Sequence, residues 1–102
     1  MNWNITYLDS EGDDQVISSL NCILHAILIG KDVASSVIEI SDSKTDGDGN
    51  IIDVAEGNAL MTANGGERVY DVECKKGLTL NLTSQTNVAV LWKSANYPGT
   101  LA

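Results

Sequence analysis

The sequence has no phenylalanine, two tryptophans and three tyrosines. A core must therefore be built from isoleucine, leucine and valine. Cations are scarce: six lysines and arginines stand against fourteen acids, for a net charge of −8. Nucleic-acid binders carry a basic stripe that displaces counterions from phosphates. Here the one basic doublet, Lys75–Lys76, lies in an acidic field, so no nucleic-acid partner is expected. The same charge disfavours anionic membrane surfaces and favours solubility. Histidine occurs once, so nucleophilic catalysis of the Ser-His-Asp or Cys-His kind would have to use His25. Two cysteines and one histidine fall short of a structural zinc set, and there is no CxxC. "GDGN" and "NGGE" lack the lysine and the strand–helix frame of a phosphate loop. A non-enzymatic protein with no cofactor and no metal is expected.

Long apolar runs are also missing. No stretch is long enough to span a bilayer. The opening "MNWNITYLDSEGDD" has no basic region and turns acidic early, so no leader peptide is expected. The sequons at Asn4 and Asn81 are then not expected to carry glycans, and Cys22 and Cys74 are expected as reduced, buried thiols of a protein made in cytoplasm.

What is present is a series of short apolar segments between frequent turn signals. The 102 residues fit one domain, and a hydrophobic fraction of 43% is enough for a packed core. Such spacing predicts an all-β fold, an antiparallel β-sandwich, jelly-roll-like, of about eight short strands. "GLTLNLT" is the cleanest, with Leu78, Leu80 and Leu82 on one face. "ERVYDVEC" places Arg68, Tyr70, Val72 and Cys74 together. "NVAVLWK" is apolar on both faces, as a central strand would be, and Trp92 is expected in the core.

The segment "VISSLNCILHAILIG" fits a strand pair or a helix, since Leu20, Ile23, Leu24, Ile27 and Leu28 also lie at helical spacing. Its β-branched residues and two serines favour a strand over Leu20 to Ile29. Strict alternation then turns Leu20, Cys22, Leu24, Ala26 and Leu28 inward. It turns Ile23, His25, Ile27 and Ile29 outward, as an apolar patch that calls for a partner or for a covering loop. Cys22 would lie on the face opposite His25, which excludes a dyad and leaves a packed or interfacial histidine. Trp3 and Tyr97 are expected to be open, as anchors for a neighbour.

"SDSKTDGDGNIID" has the look of a calcium loop. With Asp42 first, Lys44 occupies the third ligand position; with Asp46 first, Ile51 replaces the required glycine. The stretch reads instead as a solvated hairpin loop, and "DSEGDD" as a second polar turn.

The succession "LNCILHAILIG", "SVIEISDSKTDGDGNII" and "YDVECKKGLTLNLTSQTNVAVLWK" resembles small β-sandwich virion proteins of tailed bacteriophages. In that family a strand ends in an Asp-bearing loop, and a later "GL" strand leads into a final apolar one. The resemblance implies a capsid decoration, or cement, protein: a homotrimer on the capsid exterior that bridges subunits of the major capsid protein. Tail and head-fibre components share the pattern. Cys74, Lys75 and Lys76 stand where the commoner pattern has an aromatic before Gly77, which leaves the subfamily open. From another class, a calcium-dependent carbohydrate-binding module is the alternative.

Overall fold

The computed structural model describes residues 3–29, 36–44, 50–56, 67–84 and 87–95. Among the described residues eight strands follow one another: β1 (Asn4–Leu8), β2 (Gly12–Ser18), β3 (Cys22–Ile29), β4 (Val37–Asp42), β5 (Asn50–Glu56), β6 (Glu67–Cys74), β7 (Leu78–Thr83) and β8 (Val88–Ser94). They form two four-stranded antiparallel sheets, ordered β1-β8-β3-β6 and β2-β7-β4-β5, packed as a sandwich. The pairings are nested: β4 with β5, β3 with β6, β2 with β7, β1 with β8. Contacts of β3 with β8 and of β4 with β7 roll this long double ribbon onto itself. That is the order of a jelly roll. The expected architecture is present, and "NVAVLWK" does lie inside a sheet, as β8.

The core is aliphatic, as the lack of phenylalanine requires. Leu78, Leu80 and Leu82 of β7 meet Ile38 and Ile40 of β4, and across the sandwich Leu24, Ile27, Val88 and Val90. Trp92 is half-buried at the margin of this core, where its indole N–H donates to Thr6 Oγ1 at 2.9 Å.

Leu20–Ile29 is not a helix, but strict alternation fails within the strand. Leu24 pairs with Trp92 of β8, and Ala26 with the adjacent Leu91, so β3 spends one extra residue at His25. A bulge of this kind shifts the side-chain phase. Cys22 and Leu24 face inward before it, and Ile27 and Ile29 after it. The expectation that Ile27 and Ile29 form the outer face is therefore corrected. They are 1% and 5% exposed, whereas Leu28 is 39% exposed on the outside. Leu20 lies before the strand and is exposed rather than interior.

The acidic stretch is also recast. Residues 45–49, which include Asp46 and Asp48, lie outside the described residues. Its two flanking aspartates hold the framework. Asp42 accepts hydrogen bonds from the backbone N–H groups of Lys75 (3.0 Å), Lys76 (2.8 Å) and Gly77 (3.3 Å). It thereby fastens the β6–β7 turn to the end of β4.

Asp53, opposite Ile40 after a second bulge, bridges the two sheets between edge strands β5 and β6. It accepts from Tyr70 Oη at 2.6 Å and from Arg68 Nη2 at 3.1 Å, while Arg68 Nε donates to Tyr70 Oη at 3.2 Å. Burial acts to raise the Asp53 carboxyl, but the bonds from Tyr70 and Arg68 outweigh it and hold the group below its ordinary value. Burial, with the bond to Asp53, pushes the Tyr70 phenol up to about 12. The signs follow by linkage. The depressed Asp53 contributes stability above its unfolded value, and that contribution is lost as pH falls through the folded one. The raised Tyr70 contributes below about pH 10 and is lost as pH climbs from there towards 12. Urea unfolding across the alkaline range is expected to show this loss in the wild type. In Tyr70→Phe the alkaline decline should be shallower, with a cost of about 1 kcal/mol at neutral pH for the missing hydroxyl.

Candidate functional site

The outer face of the β1-β8-β3-β6 sheet is built from residues that strand alternation turns away from the core. Two cross-strand rows follow from the register. Ile5, Leu91, Ala26 and Val69 line up across all four strands, and beside them Tyr7, Ala89, Leu28 and Glu67. The first row has no polar member. Ile5, Val69 and Leu28 are exposed, and Tyr7 is the most open at 67%. Ala26 is fully covered by its longer neighbours. Between Tyr7, Leu28 and Ala89 the surface sinks into a shallow recess, bounded by Asp9 and Asn87.

A different chemistry occupies the third row. Ile23 pairs with Lys93 on one side and Glu73 on the other. Trp3, just before β1, stacks flat on His25, with ring centroids 4.5 Å apart and planes 3° from parallel. Lys93 Nζ lies 5.0 Å from the Trp3 ring centroid, a cation–π contact. His25 Nδ1 is 2.5 Å from Asp71 Oδ1, on a face opposite the buried Cys22. Asp71 takes φ +50° at the second residue of the β6 irregularity, which swings its carboxylate towards the bulged His25. His25 keeps its outward direction at the bulge and serves as a polar anchor for Trp3.

The face is therefore an apolar centre beside a charged rim of Lys93, Asp71, Glu67 and Glu73. Interfaces share that anatomy. Of the residues expected on it, Trp3, Ile23 and His25 are there, half-buried and close together. Ile27 and Ile29 are in the core, and Tyr97 lies outside the described residues. Ile5, Tyr7, Leu28 and Val69 replace them. A signal for β1 was present: "NWNITYL" puts Trp3, Ile5 and Tyr7 on one parity, against Leu8 on the other. Nothing in the sequence marks the bulge that turns Leu28 outward.

The described carboxylates do not converge. Asp42 and Asp53, first and twelfth of one calcium frame, are engaged with backbone N–H groups and with Arg68 and Tyr70. Among the described residues no three histidine, cysteine or acidic side chains are grouped so as to hold a metal ion. "DSEGDD" is not simply a turn, since Gly12, Asp13 and Asp14 belong to β2. There the Asp14 N–H bonds to Asn81 Oδ1 of the neighbouring strand. The chain matches no family model, no curated protein and no solved structure.

Proposed function

We propose that this protein is a non-enzymatic structural module, a decoration protein that sits as a homotrimer on the exterior of a phage capsid and bridges major capsid subunits. The observation that carries the binding role is the exposed pair Ile5 and Val69, joined through half-buried Leu91, with exposed Tyr7 and Leu28 beside them. An apolar surface spread over four strands is costly to leave in water and is stabilised when a partner covers it. The jelly roll suits the reading, because viral capsid domains use it, although lectin domains do too. The placement on a virion rests on the sequence resemblance. A net charge of −8 suits a protein that must stay soluble before assembly and that faces away from a packaged genome.

Native mass spectrometry of the free protein, and co-sedimentation with capsids lacking it, test this reading. A trimer that pellets with capsids is expected. Tyr7→Lys combined with Val69→Asp should abolish binding while shifting unfolding by less than about 1 kcal/mol, since both positions are exposed. A monomer that leaves capsids untouched sinks the proposal. Pelleting with tails or fibres instead would place the module there.

A further inference from the structure

Cys22 opens β3 and Cys74 closes β6, and the register sets them directly opposite each other. Both are fully buried. The backbone geometry of the pair follows from a bond one residue away. Ala95 N–H donates to the Asn21 carbonyl at 3.2 Å, so Asn21 directs its polar groups to β8. The next residue of a strand directs its own to the other neighbour, here β6. Cys22 and Cys74 are thus a hydrogen-bonded cross-strand pair, for which Cα atoms stand about 5.5 Å apart. That Cα separation lies inside the range a disulfide bridges, and although the Cβ atoms of such a pair stand wider apart than is ideal, the two thiols already meet in a hydrogen bond.

We propose that Cys22 and Cys74 are a redox pair, oxidised by small-molecule disulfides to a reversible bond between β3 and β6. The Cys22 thiolate attacks one sulfur of the reagent, releases one thiol and forms a mixed disulfide. Cys74 then loses its proton to solvent, attacks Cys22 Sγ and releases the second thiol. Two protein thiols are oxidised, one reagent disulfide is reduced to two thiols, and the protons balance. The environment favours Cys22 as the attacking group: the hydrogen bond from Cys74 lowers it, against the effect of burial. The same bond, with burial, raises Cys74. Access needs only local opening, because β6 is an edge strand and both cysteines sit at strand ends. In a reducing cytoplasm the pair stays as thiols; outside the cell it closes.

The test is incubation of the intact native chain with oxidised glutathione at mildly alkaline pH. The expected product has lost two hydrogens in mass, carries a Cys22–Cys74 link by peptide mapping, and is monomerically cross-linked. Its melting temperature should rise by roughly 10 °C, because the bond restrains a long loop of the unfolded chain. Dithiothreitol should reverse both changes. Cys74→Ser should trap glutathione on Cys22. The proposal is overturned by an unchanged mass while the same reagent oxidises the urea-unfolded chain. Links between chains in place of the internal one, or a lowered melting temperature, overturn it equally. If Cys74→Ser fails to fold, the wild-type mass and melting readings decide alone.

Discussion

Gly77→Ala is expected to remove most of the domain's stability, about 3 to 5 kcal/mol out of the 5 to 10 typical of a small domain. A Cβ there would lie 2.6 Å from the Ser18 carbonyl oxygen, 2.8 Å from that of Ser43 and 2.9 Å from Lys44 Cα. All three are backbone atoms, so no side chain can swing away. The φ of +156° adds strain for any residue with a Cβ. Three segments converge on this glycine: the end of β2, the exit of β4 and the β6–β7 turn. Gly12→Ala is the control, because its Cβ would meet only the Gln15 side chain, at 3.5 Å or more. It should change urea stability by less than about 0.5 kcal/mol. If both variants unfold at similar urea concentrations, the crowding at Gly77 does not limit the fold.

Asp42→Ala strikes the same junction from the other side and is expected to cost about 2 to 3 kcal/mol. It strips the acceptor from three backbone N–H groups at once, and bonds to a charged acceptor are the stronger kind. Asp42→Asn keeps one carbonyl oxygen, which can still serve Lys76 and Gly77. It should recover about half of the loss. Hydrogen exchange reads the same effect locally, as faster exchange at Lys75, Lys76 and Gly77. Unchanged protection at these amides in Asp42→Ala would show that the carboxylate does not hold the turn.

The strands were legible where alternation is regular and one face is dry. "GLTLNLT" and "ERVYDVEC" have the faces that their patterns imply. Thr79 shows the limit. By parity it lies outside the core, yet it is buried, because its hydroxyl donates to the Ser43 carbonyl and the chain after β4 lies over it. The bulge at His25 was not legible. Periodicity assumes one residue per step, and a single unpaired residue inverts everything beyond it. Hence Ile23 and His25, before or at the bulge, were placed correctly, and Ile27 and Ile29 were not. The acidic stretch misled in another way. Its composition suggests solvent throughout, but the partners of Asp42 and Asp53 come from β6 and the turn after it, far along the chain. An apolar outer surface was anticipated on the right sheet, with only part of its membership.

The nested pairing also sets an order of events during synthesis. Asn4 is held by Trp92 and Leu8 by Val88, so the first strand has no native partner until the last has emerged from the ribosome. The innermost ribbon, β4 with β5, can close early, and each outer pair must wait for a longer span of chain. Pairings this distant in sequence make folding slow compared with locally wired domains. The nascent chain therefore carries Ile5, Tyr7 and the whole of β3 as unpaired, sticky strand through most of translation, a load that falls on chaperones.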